Sequence, residues 1–322
     1  MIHWQPTSGP QTAASRAAML RRIRAQFDQA EMLEVDTPAL SPFAVSDTQI
    51  ESLEIQRSAV SSRPLYLHTS PEFCLKRLLA AGYPDIYSIC RVFRDGESGK
   101  QHQPEFTLIE WYRLNFTLPA IIDDTVAVIR AALAAAAPPA LQLYDYRALF
   151  VDVLGVDPLA VPIATLADAA DADETLRAAI GSARDDWLDL LLATRIAPTF
   201  STEALTVVRH YPASQAALAR LCPTDSQVAD RFEVFLGPVE LANGYVELTD
   251  AHEQRQRIEA DNVNRRRRQR RERPVDTALL AALEHGLPAC AGVAMGLERL
   301  QMLHDKTDDI RDVITFAFEA NA

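Results

Sequence analysis

The sequence predicts an α+β fold, an antiparallel β-sheet flanked by helices, and three observations carry that expectation. DIYSICRVFRDG and EFTLIEWYRL are β-rich runs on either side of one charged, Gly-containing loop, which reads as a long hairpin. LTVVRHYP and DRFEVFLGPVELANGYVEL repeat the pattern, the second folding back at Gly237 and Pro238. Between and around these runs lie segments with apolar residues at helical spacing.

Taken in order, Ala18, Met19, Ile23 and Phe27 recur with arginines between them, so Ser15–Ala30 reads as an amphipathic helix. MLEVDTPAL ends it and enters a strand bounded by Pro38. LYLHTSPEFCLKRLLAAGY is a short strand followed by a helix, with Ser70 as N-cap, Pro71 in the first turn and Glu72 near the positive end of the helix dipole. The stretch from about 123 to 199 is rich in Ala, Leu and Asp at helical spacing and has no clustered catalytic side chains, so it reads as a helical insertion that packs rather than reacts. A long helix then carries HEQRQRIEADNVNRRRRQRR, and CAGVAMGLERLQML closes the pattern. With no repeat or low-complexity linker, residues 1–322 read as one domain.

Composition narrows the function classes. A formal charge of −12 opposes broad attachment to nucleic acid or to an anionic membrane. No segment reads as a signal peptide or a membrane span, which suggests a cytoplasmic protein. Cys74, Cys90, Cys222 and Cys290 lie far apart, with no CxxC pair and no histidine at ligand spacing, so neither a zinc site nor a disulfide framework is expected.

Charged groups placed on strands and at strand-helix junctions point to phosphate and metal chemistry. Arg94 ends a strand and offers a planar fork to a phosphate or carboxylate, Lys100 and His102 could reach a terminal phosphate, and Phe106 offers a face to a base. Across the Gly237–Pro238 turn an even-length loop would make Glu233 and Glu240 diagonal neighbours, a repelling pair that Mg²⁺ would reconcile; an exposed hairpin with unrelated glutamates is equally compatible. Gly292 and Gly296 permit close backbone approach before a helix that carries Arg299, or simply ease packing. NRRRRQRRERP reads as a solvated helix end, the other option being that Arg266, Arg270 and Arg273 attract an acidic partner.

In this order the segments resemble the catalytic domain of class II aminoacyl-tRNA synthetases, in the lysyl branch: LEVDTPAL is similar to motif 1, VFRDGESGKQHQPEFTLIEWY to motif 2 and GVAMGLERL to motif 3. The similarity runs from about Ser15 to Phe318, with HTSPEFCLKRLL, YPASQAALA and ELANGYVELTDAHEQRQR between the motifs. An anticodon-binding domain is expected to be absent, and Ala294 stands where lysyl enzymes have glycine, which points to the truncated paralogues that ligate (R)-β-lysine to elongation factor P. The resemblance implies activation of β-lysine or lysine by ATP with Mg²⁺, transfer to a lysine of elongation factor P, no tRNA, and a homodimer built on motif 1.

It also implies residue roles: Arg94 at the α-phosphate and substrate carboxylate, Phe106 and Arg299 on the two faces of adenine, His102 near the γ-phosphate, and Glu233 and Glu240 on Mg²⁺. Glu72 would hold a substrate amine, while Glu110, Tyr112, Asn243, Glu247 and Ala294 would line the amino-acid pocket. Motif 2 of the family reads Phe-Arg-x-Glu; here Gly96 takes the Glu place and Glu97 follows, leaving Glu97 with ATP or the acceptor as its alternatives. Two other readings stand beside the ligase: a small-molecule amide-forming enzyme of the asparagine synthetase type, and a non-catalytic amino-acid-binding paralogue.

Overall fold

A computed structural model describes residues 4–318; of the expected 1–322 span, residues 1–3 and 319–322 lie outside the described residues. The chain forms two compact units, one from residues 4–116, 127–134 and 249–318, the other from 117–126 and 135–248.

In the first unit the opening helix is Pro10–Gln29. It starts five residues before the periodic pattern because Pro10 follows Gly9, and proline's fixed φ suits a first turn. Met19, Ile23 and Phe27, four apart, form its buried stripe, and the Phe27 ring lies 4.4 Å from Tyr87 and 5.5 Å from Trp111. Those two aromatics face each other across the expected hairpin, whose strands Ile86–Phe93 and Glu105–Leu114 pair antiparallel from Ile86↔Tyr112 to Phe93↔Glu105. Strand Cys290–Gly296 adds antiparallel to the far side of Glu105–Leu114. The strand expected over MLEVDTPAL is instead two short pieces, Leu33–Glu34, parallel to Ile86–Tyr87, and Leu40–Ser41 in a separate three-stranded sheet. Pro38 between them has no N–H for a ladder, so the segment cannot run through as one strand.

Helices Glu72–Ala80 and Thr277–Gly286 pack through Leu75, Leu79, Leu279, Leu280 and Leu283 against Ile86 and Tyr112. Helix Ala251–Arg267 is capped by Asp250, whose carboxylate accepts from the Glu253 N–H at 2.9 Å. The basic run at its end is exposed, as expected, except at Arg265 and Arg273. Arg265 is fully buried and donates to both Glu51 oxygens, at 2.7 and 2.8 Å, and to the Asp47 carbonyl at 2.8 Å. Arg273 donates to Glu51 at 2.6 Å and lies over the Tyr66 ring, while Arg271 takes Glu54 at 2.7 Å. Two glutamates some 210 residues away in the chain absorb arginines whose local composition suggests solvent. Arg266 and Arg267 do remain exposed.

The second unit contains strands Ala140–Asp145, Ala204–Arg209, Arg231–Leu236 and Val239–Val246. Ala204–Arg209 pairs antiparallel with Arg231–Leu236 and parallel with Ala140–Asp145, so both units carry a parallel edge on an otherwise antiparallel arrangement. Strand Ala140–Asp145 lies inside the stretch expected to be helical; the rest of that stretch is mostly helix, including Leu118–Leu133, Tyr146–Leu154 and Arg184–Leu191. Trp187, Leu188, Leu191, Leu149 and Phe150 form its core, with Tyr146 stacked on Phe150 at 4.6 Å and tilted against Tyr211 at 4.7 Å. All four cysteines are free, and no helix of the described residues is long and apolar enough to cross a membrane.

Candidate active site

In the first unit the site grows from one row of the sheet. Ser88, Glu110 and Ala294 lie directly opposite one another on three adjacent strands, so their side chains share a face, and Tyr112 and Gly292 form the next row on that face. Glu110 is 2 % exposed. The Ser70 hydroxyl donates to its Oε2 at 2.7 Å and the Tyr112 hydroxyl to its Oε1 at 2.8 Å. The helix begins one residue later than expected: Pro71, not Ser70, is its N-cap, the Pro71 carbonyl accepting from the Leu75 N–H at 3.1 Å, while Ser70 Oγ accepts from the Glu72 N–H at 2.9 Å in the turn before it. Burial, then the nearby Glu72 charge, push the Glu110 carboxyl up to about 8. Glu72 accepts from the buried Lys76 ammonium at 2.7 Å, one helical turn on. A buried carboxyl held by two hydroxyls, with a second carboxylate near, is a setting suited to a cation.

The motif 2 loop supplies the second cluster. Arg94 lies over the Phe106 ring at 5.1 Å and near Glu97 at 3.6 Å, and its buried Nε has no hydrogen-bond partner. Its backbone N–H donates to the Pro104 carbonyl at 2.9 Å, and the next residue, Asp95, donates to the Glu51 carbonyl at 2.8 Å. Arg299 donates to His102 Nε2 at 2.7 Å, which keeps that imidazole nitrogen unprotonated. Lys100 is exposed, 3.6 Å from Asp308. Arg94, Glu97 and Phe106 are thus brought together, as are His102 and Arg299. An orphaned guanidinium N–H wants an anionic oxygen, so this cluster fits the phosphates of ATP.

Two partners here escaped the sequence reading. Glu298, beside Arg299, is 1 % exposed; it accepts from the Thr107 N–H at 2.9 Å and from Arg16 at 2.9 Å, tying motif 3 to the Glu105–Leu114 strand and to the first helix. Glu51 anchors the backbone beside Arg94 through the arginine run. Neither has a local signal beyond an acidic residue in an apolar setting.

In the second unit, Gly237 takes the left-handed conformation, φ 55°, and the two-residue turn closes on Leu236↔Val239. Glu240 then pairs with Phe235, but a register shift follows, so that Glu233 faces Asn243. Glu240 and Asn243 are three apart and would point oppositely on a regular strand; the bulge lets both lie on the Glu233 side. The even-loop argument alone missed this bulge. Glu233 accepts from Tyr211 Oη at 2.7 Å and Arg231 at 2.7 Å, and Arg231 also donates to Asn243 at 3.2 Å. Burial and the Glu240 charge push Glu233 up to about 7. Two carboxylates that resist joint ionisation form a donor set that fits a divalent cation. Glu247 is buried just past the strand, its backbone bridged to Ala219. The 123–199 stretch, expected only to pack, contributes Asp189, which accepts from Gln215 at 2.7 Å and is pushed up to about 6 by burial.

The model of the class II tRNA synthetases (D, K and N) matches residues 4–320. The chain is 42% identical over 322 residues to the elongation factor P–(R)-β-lysine ligase of Sodalis glossinidius, covering 98% of each chain. It is 41% identical to the ligase of that name from Mannheimia succiniciproducens, over 97% of each, and 40% to that from Haemophilus influenzae, over 98% of each. Mixed sheets, flanking helices and likeness that extends over nearly the whole chain converge: this protein belongs to the class II tRNA synthetases (D, K and N), within the family of the elongation factor P–(R)-β-lysine ligases.

Proposed function

We propose that the protein is an ATP-dependent ligase that activates (R)-β-lysine, or lysine, as an aminoacyl-adenylate and transfers it to the ε-amine of a lysine on elongation factor P. The observation that carries this reading is Glu110, a fully buried carboxyl at the floor of the sheet with only hydroxyl donors on its oxygens. With Lys76 already engaged by Glu72, an amino acid with a second ammonium group adds a cation beside Glu110, whereas an acidic substrate of the asparagine synthetase type would add a third carboxylate beside Glu110 and Glu72. Relatives bearing the ligase name agree over nearly their whole length.

In the first step a carboxylate oxygen of the amino acid attacks the α-phosphorus, the bond to the bridging oxygen breaks, and pyrophosphate leaves. Arg94, with its orphaned Nε, takes the α-phosphate and substrate carboxylate, and Arg299 offsets charge from the adenine side. Phe106 stacks on the base; Lys100 and His102 serve the terminal phosphates, and Glu97 steadies Arg94. Glu233 and Glu240 would hold Mg²⁺, which when bound would offset phosphate charge. Glu72, Glu110, Tyr112 and Ala294 of the first unit, and Asn243 and Glu247 of the second, are the residues assigned by the resemblance to amino-acid binding. In the second step a neutral lysine amine attacks the anhydride carbonyl, AMP leaves, and the amine's proton passes to solvent.

The same reading includes one catalytic domain with the insertion at about 123–199, a homodimer in the cytoplasm, and a protein rather than tRNA as acceptor; the charge of −12 supports the last. The test is pyrophosphate exchange with α-lysine and both β-lysine enantiomers, followed by offering elongation factor P or lysine tRNA. A mass increase at one lysine of the protein is expected. Charging of the tRNA without modification of the protein overturns the proposal.

A further inference from the structure

We propose that the second unit contains a site for a thiophilic divalent cation such as Zn²⁺, formed by His210, Cys222 and Asp230. Their spacing in sequence hides the site, yet one ligand atom from each lies within 4.8 Å of the others. His210 follows strand Ala204–Arg209, Cys222 ends the first strand of the ribbon formed by Leu221–Cys222 and Asp225–Ala229, and Asp230 immediately precedes Arg231–Leu236.

The second observation is how the histidine is held. Its Nδ1 faces Asp145 Oδ1 at 2.9 Å, where a carboxylate can only accept, so the neutral ring held in this way offers its Nε2 lone pair to a metal. That Nε2 faces Asp230 Oδ1 at 4.0 Å, while Asp230 Oδ2 is taken by Arg220 at 2.8 Å. A carboxylate-oriented imidazole beside a thiol and a free carboxylate oxygen is the arrangement that metal-binding histidines use. Tetrahedral zinc, with bonds of about 2.0–2.3 Å, places its ligand atoms roughly 3.3–3.8 Å apart, so the cluster needs to contract by at most about 1.5 Å. Cys222 Sγ, now 3.3 Å from Thr224 Oγ1, would lose its proton to solvent on binding, and water would fill the fourth position. The sulfur separates this site from the oxygen-only Glu233 and Glu240 pair, which suits Mg²⁺. Bound metal would tie the ribbon to Asp230 and so to Arg231, the residue whose guanidinium holds Glu233.

The test uses the purified full chain, stripped with a chelator and titrated in excess Mg²⁺ with Zn²⁺ by calorimetry and with Co²⁺ by absorption. One Zn²⁺ per chain and a thiolate-to-Co²⁺ charge-transfer band are expected. Cys222→Ser should abolish the band and weaken Zn²⁺ at least about 100-fold, and Asp145→Asn should weaken it about 10–100-fold. His210→Gln gives an independent arm, and the unfolding temperature of each stripped variant reports its fold. Absence of the Co²⁺–thiolate band in the parent protein, or Zn²⁺ affinity unchanged in Cys222→Ser, overturns the proposal.

Discussion

On the proposed reading, in which Glu110 receives a substrate ammonium, substrate binding is expected to release a proton. With its carboxyl at about 8 in the free protein, roughly nine-tenths of the molecules carry that proton at pH 7. A ligand ammonium in the pocket favours the carboxylate, so binding lysine or β-lysine at pH 7 should release close to one proton, falling to about a tenth at pH 9. The apparent dissociation constant should therefore tighten about tenfold from pH 7 to pH 9, before the ligand's own amines deprotonate. Calorimetry in buffers of different ionisation enthalpy measures the proton directly. Glu110→Gln keeps the size and the capacity to bond Ser70 and Tyr112 but removes the charge. It should flatten the pH dependence and weaken binding about 10–150-fold, the scale of a lost charge-assisted hydrogen bond. The stability sign is opposite to that of an ion-paired carboxylate. The folded state keeps a proton that the unfolded chain releases near pH 4.3, so Glu110's contribution is full below that value and declines until the folded carboxyl ionises at about 8. Proton release that is equal at pH 7 and pH 9, or a Glu110→Gln profile matching the parent's, would refute this account of the pocket.

Three further outcomes follow from the same geometry. Arg94→Ala should lower pyrophosphate exchange by about two or more orders of magnitude, since it removes the unpartnered guanidinium N–H proposed for the α-phosphate; near-normal exchange would sink the assignment. Ala294 lies opposite Glu110, so Ala294→Gly should shift preference toward α-lysine by about 1–3 kcal/mol in relative kcat/KM, and an unchanged ratio rejects its role in selectivity. Glu51→Gln leaves the buried Arg265 without its counter-charge and should cost about 3–5 kcal/mol in urea unfolding; a midpoint equal to the parent's would show that the arginines find other partners.

Much of the architecture was legible in one dimension because it rests on local rules. The 86–93 and 105–114 strands announce themselves by β-rich runs around a charged turn and stand as read. That Glu233 and Glu240 share a sheet face could be read from the turn between them, and the ordered motifs placed the chain in its family. What sequence could not carry was every arrangement set by partners distant in the chain. The run NRRRRQRRERP has the composition of a solvated surface, yet Arg265 is buried because Glu51 and the Asp47 carbonyl neutralise it from another segment. The bulge that brings Glu240 and Asn243 to one side is a single-residue register shift with no side-chain signature. His210, Cys222 and Asp230 have no ligand spacing, and only the convergence of a strand end, a ribbon and a second strand sets them within reach of one ion. Period and turn chemistry act over a few residues and are written in the chain; burial of charge and ligand geometry depend on which distant groups the fold brings into contact, and those exist only in three dimensions.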